Sequence, residues 1–82
     1  MSVIVEDPDS AERLNAILHD YAEFIIGRMG IPYRQRGVSI ISIAIDAPQN
    51  DISALSGKIG RLEGVSVKTA YSSVRGVVGG AE

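Results

Sequence analysis

The stretch Val38-Ser39-Ile40-Ile41-Ser42-Ile43-Ala44-Ile45 decides the fold. It is rich in β-branched residues and carries no charge, so it reads as a strand. Alternation puts Ser39, Ile41, Ile43 and Ile45 on one face and Val38, Ile40, Ser42 and Ala44 on the other. A strand with one wet face would show charge at alternate positions, and neither face here does. The expectation is a central strand covered on both sides.

Upstream, Gln35-Arg36-Gly37 reads as a tight connection into that strand. Before it, Ile31-Pro32-Tyr33-Arg34 has room for a short strand, which its proline confines to a sheet edge. Gly27 and Gly30 read as the exit from a helix whose apolar stripe is Ala11, Leu14, Ile17, Leu18, Tyr21, Ala22 and Ile25. Asp7-Pro8 starts that helix: an aspartate caps it and a proline sits where a missing N–H costs nothing. Val3-Ile4-Val5 reads as a first strand.

Downstream, Asp46 to Asp51 is turn chemistry, with Asn50 or Asp51 as helix cap. Ile52, Leu55, Ile59 and Leu62 make a second apolar stripe that Gly64 ends, and Val65 to Tyr71 alternates as a last strand. The order is β-α-β-β-α-β. Two right-handed crossovers then give a four-stranded antiparallel sheet in spatial order 4-1-3-2, with both helices on one face. This is the ferredoxin-like α+β class. The proline-bearing strand falls on an edge and the two-sided apolar strand in the middle. The domain is expected to span residues 1–72, with 73–82 a glycine-rich, flexible C-terminal tail.

One face of such a sheet has no helix. It carries Val38, Ile40, Ser42 and Ala44, a largely apolar set of the kind that marks an interaction site. A second copy of the chain is the simplest cover, and homo-oligomerisation is expected. Length points the same way. A chain of 82 residues buries only about 60–65% of its unfolded surface. With no cysteine, neither disulfides nor zinc–thiolate sites are available to stabilise it.

A hydrophobic fraction of 45% and a charged fraction of 22% are ordinary for a globular protein. The net charge of −2 argues against a nucleic-acid surface. Arg36-Gly37-Val38-Ser39-Ile40 superficially matches the third strand of an RNA-recognition motif, but Val38 and Ile40 stand where aromatic rings stack bases. Direct nucleic-acid binding is not expected. The opening Met1 to Asp7 has no basic segment and turns acidic at once, and no apolar run is long enough to span a bilayer. The cytoplasm is the expected compartment.

No catalytic constellation is present, so no enzyme and no cofactor are expected. His19, the sole histidine, and Glu23 are weak metal candidates at helical i,i+4 spacing. A solvated helix flank is the preferred reading of the pair, and only a symmetric dimer would double the ligands. Asp46, Asn50 and Asp51 lack calcium-loop spacing.

Leu55-Ser56-Gly57-Lys58-Ile59-Gly60 is more unusual, because two glycines within a helix each cost about 1 kcal/mol relative to alanine. The run lacks the upstream glycine and hydroxyl residue of a phosphate loop. Ser56, Gly57, Lys58 and Gly60 are candidates for a ligand site, and close helix packing is the competing reading.

Together with Gly64-Val65-Ser66-Val67-Lys68-Thr69, the opening strand into Glu6-Asp7 and the Gly30-Ile31-Pro32 turn, this segment resembles the small regulators associated with iron-only hydrogenase systems. The likeness covers roughly residues 3–70. It implies a domain similar to ACT domains and to the ligand-binding half of nickel-responsive repressors. Those domains assemble through their sheets and bind amino acids or metal ions near subunit interfaces. The chain departs from the nickel repressors in lacking their cysteine, their several histidines and a ribbon-helix-helix segment. The resemblance therefore implies a dimeric regulatory or ligand-sensing module acting through a small molecule or partner protein. A metal-binding domain with its site at a subunit interface and a purely structural assembly domain are the alternatives.

Overall fold

The computed structural model describes residues 1–72, and the expected C-terminal tail lies outside them. Four strands, β1 (Ser2–Val5), β2 (Ile25–Tyr33), β3 (Val38–Ile45) and β4 (Val65–Lys68), and two helices, α1 (Ala11–Asp20) and α2 (Gln49–Gly60), follow in the order β1-α1-β2-β3-α2-β4. The sheet is antiparallel in order β2-β3-β1-β4, as expected. Both helices pack on one face. Val3 and Val5 of β1 and Ile41 and Ile43 of β3 meet Leu14 and Leu18 of α1 and Leu55 and Ile59 of α2 in the core.

Asp7 accepts a hydrogen bond from Asp9 N at 2.9 Å and opens a 3₁₀ turn, Pro8–Ser10, that runs directly into α1. α1 ends at Asp20, earlier than its apolar stripe. Ala22 to Phe24 form a second 3₁₀ turn, and Ile25 already pairs with Ile45 of β3. The helical spacing of Ala22 and Ile25 is thus coincidental. A β-branched pair, Ile25-Ile26, gains more by extending along β3 than by continuing the helix. Gly27 and Gly30, read as a helix exit, lie within β2, and the strand is nine residues long where four were expected. Its place at the edge and its proline agree with the sequence.

At the other edge, β4 stops at Lys68 because that residue faces Ser2, the first residue of β1. α2 starts at Gln49 without a side-chain cap. The carbonyl of Pro48 accepts from Asp51 N at 2.9 Å and Ile52 N at 3.1 Å, so Asn50 and Asp51 lie inside the first turn.

Gly64 holds the two connections together. Its φ is +69°, in the left-handed region, and a Cβ there would lie 2.6 Å from Asp7 Cβ and 3.0 Å from Asp7 N. Glu6 N donates to the Gly64 carbonyl at 2.6 Å. The buried Ser10 hydroxyl donates to the Glu63 carbonyl at 2.7 Å. The start of α1 is thereby fastened to the loop leading into β4.

Candidate functional site

The sheet face away from the helices is built by the cross-strand pairs Tyr33–Val38, Ile31–Ile40, Met29–Ser42 and Gly27–Ala44, with Ile4 of β1 opposite Ile40. Paired residues share a face, so one strip of apolar side chains crosses three strands. Met29, Ile31 and Tyr33 are 60%, 52% and 41% exposed. Val38, Ile40 and Ile4 are half-buried, while Ser42 and Ala44 are exposed. All four residues expected to form an interface thus lie on the open face. β2 roughly doubles the apolar strip. The only charged strand residue on this side, Lys68, sits at the far edge on β4.

Met29, Ile31 and Tyr33 carry no clear strand signal on their own, because Gly27 and Gly30 resemble a helix exit and leave room for only a short strand. The alternation Gly27, Met29, Ile31, Tyr33 was the available signal, broken by Gly30 and Pro32 on the opposite side.

The other candidates are scattered. His19 is exposed in the last turn of α1 and Glu23 is exposed in the following 3₁₀ turn. With the helix ending between them, the pair does not share a helical face. Among the described residues, no three of His, Cys, Asp and Glu converge as metal ligands. On α2, Ser56 is half-buried and Gly57 exposed. Lys58 Nζ lies 4.9 Å from the centroid of the buried Tyr21 ring, a cation–π contact that ties α2 to the end of α1. A Cβ at Gly60 would touch Val67 Cγ1 at 3.7 Å, and among the described residues one at Gly57 would meet nothing within 4 Å. The expected close packing is therefore absent at Gly57 and only an ordinary contact at Gly60.

Residues 1–69 match the model of a family described as "TM1266-like: Iron-only hydrogenase system regulator, putative". The chain belongs to the TM1266-like family. Among solved structures it is similar to an uncharacterized protein, TM1266 from Thermotoga maritima, at 40% identity and a TM-score of 0.77. That likeness covers 82% of this chain and 85% of the other. No curated protein matches. Family membership bears out the resemblance to regulators of iron-only hydrogenase systems, and the ferredoxin-like α+β fold stands with it. The family's description names a regulator and no reaction. Among the described residues, no helix is long and apolar enough to cross a membrane.

Proposed function

We propose that this TM1266-like chain is a non-enzymatic regulatory module of an iron-only hydrogenase system. It works as a homo-oligomer in the cytoplasm and responds to a small molecule or a partner protein. One observation carries the assembly: an apolar strip, uncharged through its middle, crosses β2, β3 and β1 on the face that neither described helix covers. Exposed patches of that kind are interaction sites. A second copy fits this one, because an uncharged strip brings no like charges together when it meets itself across a two-fold axis. The family's description supports the regulatory part. In this reading, regulation acts through the partner or ligand and not by direct contact with nucleic acid.

Sedimentation of the protein and of Ile31→Asp tests this. Ile31 is half-exposed in one protomer, so the substitution leaves the fold intact and places unpaired charge in the interface. The wild type is expected to sediment as a dimer or higher oligomer and the variant as a folded monomer. A well-folded wild-type monomer at high concentration would overturn the assembly.

A further inference from the structure

The helix-covered face has a gap of its own. Helix-side positions of β2 alternate as Arg28, Gly30 and Pro32, opposite Ile43, Ile41 and Ser39 of β3. Gly30 has no side chain, and a Cβ there would only just reach Ile41 Cγ1 at 4.0 Å. α1 does not extend over this part of the sheet. The result is a groove of about 360 Å³ between the start of α1 and the β2–β3 hairpin. Its volume falls within the range of about 300–1,000 Å³ common for small-molecule sites.

We propose that this groove binds a small organic monoanion with an apolar body, a monocarboxylate being the simplest. Val5, Leu14 and Ile41, all core residues, line it and supply an apolar floor. Two arginines, Arg28 and Arg34, and one glutamate, Glu6, are the charged residues of its lining. The local balance is two positive against one negative, a surplus of one in a chain whose net charge is −2.

Arg28 is held in place: its Nη2 donates to Asn15 Oδ1 at 2.9 Å. That partner is a neutral amide, so the bond orients the guanidinium without neutralising it and leaves further donors for an incoming oxyanion. A single negative charge matches the surplus, whereas a polyphosphate would bring more charge than the groove balances. An apolar body is needed to displace water from the floor. This site gives the sensing role proposed above a ligand class, and rests on that reading only for its regulatory meaning. The groove opens on the helix side of the sheet and shares only Val38 with the apolar strip, so binding and assembly can be tested separately.

Amide NMR of the ¹⁵N-labelled protein, titrated with 3-phenylpropionate and separately with 3-phenylpropanol, tests the proposal. The acid is expected to shift amides around Glu6, Asn15, Arg28, Arg34 and Ser39, and to bind about tenfold or more tightly than the alcohol, as a charged hydrogen bond requires. Arg34→Gln, at an exposed position that leaves the fold unchanged, should weaken the acid by about tenfold and leave the alcohol alone. Ile31→Asp should bind the acid as wild type does, whatever its state of assembly. Equal affinity for acid and alcohol, shifts confined to the open sheet face, or no shifts with either probe would each overturn the proposal. None of these results bears on whether the chain assembles.

Discussion

The two edges of this sheet are finished in opposite ways. β4 has four residues, Val65 and Val67 half-buried on the helix side and Ser66 and Lys68 facing out. The loop before it is fastened to Glu6, Asp7 and Ser10. β2 has nine residues, and every one after Ile25 is exposed. Length accounts for much of this. The ten residues of α1 rise about 15 Å, whereas nine strand residues reach about 30 Å, so one helix cannot cover β2. One edge is completed by the chain's own packing. The other presents apolar side chains on one face and a charged groove on the other.

The sharpest test of the β4 edge is Gly64→Ala. The left-handed φ costs an L-residue about 1–2 kcal/mol. The added methyl would also meet Asp7, backbone included, and overpacking of that kind costs about 1–3 kcal/mol. Chemical denaturation should show a loss of about 2–5 kcal/mol, a large part of the stability of so small a domain. Gly37→Ala is the control: its φ is similar, +66°, but no atom lies within 4 Å, so only the conformational cost of about 1–2 kcal/mol should appear. Equal losses at both positions would show that Gly64 is not a point of close approach.

At the β2 edge the same logic predicts an effect on assembly in place of folding. Paired variants make the contrast direct. Val67→Asp puts a carboxylate against α2 and should destabilise each protomer. Ile31→Asp should leave protomer unfolding within about 0.5 kcal/mol of wild type, as exposed substitutions do, while weakening association by about a hundredfold or more. The reverse pattern, a tolerated Val67→Asp and an unfolded Ile31→Asp, would break the comparison between the edges.

How far these edges could be foreseen depends on which contacts set them. The two-sided alternation of Val38–Ile45 identified the central strand, and Pro32 identified an edge, because both are local consequences of pleat and backbone donors. The end of α1 was not legible. Ala22 and Ile25 continue the helical period, and only pairing with Ile45 draws Ile25 into the sheet. The role of Gly64 was hidden for a related reason: a glycine after a helix looks like an ordinary stop, and its contact with Asp7 exists only after the chain has folded back. Val38, Ile40, Ser42 and Ala44 were legible as one face of a strand, but their neighbours on β2 were not once that strand was misread. Arg28, Arg34 and Asn15 carried no local signal, since their grouping depends on how α1 packs beside the β2–β3 hairpin.

A smaller effect tests the fastening from the helix side. Ser10 is the one polar residue buried among the described residues, and its hydroxyl reaches the Glu63 carbonyl from the start of α1. Ser10→Ala removes that bond and leaves the carbonyl in search of water. The loss should be about 1–2 kcal/mol in thermal or chemical unfolding, without change in assembly. Loss of assembly with unchanged stability would mean that the β4 side, and not β2, communicates with the interface.

The smallest expected effect, and the one with the opposite sign, is on α2. Gly57 lies inside a helix, has ordinary helical backbone and meets open space among the described residues, so no described contact offsets its propensity cost. Gly57→Ala should therefore stabilise the isolated protomer by about 0.4–1 kcal/mol, chiefly by narrowing the unfolded ensemble. Gly60→Ala should gain less, because its methyl arrives at ordinary contact distance from Val67 Cγ1, 3.7 Å away. If Ser56, Gly57, Lys58 and Gly60 serve a ligand or partner, Gly57→Ala would separate stability from binding: a more stable protomer that has lost an interaction. A thermal-shift screen of wild type and Gly57→Ala side by side reads both quantities. A ligand present at a hundred times its dissociation constant adds about 2.7 kcal/mol to wild type, several times the substitution's own effect. A destabilised Gly57→Ala protomer would show that the open space beside Gly57 is filled in solution. α2 would then join β2 as a second unfinished surface, and the division between a finished and an unfinished half of the molecule would no longer hold.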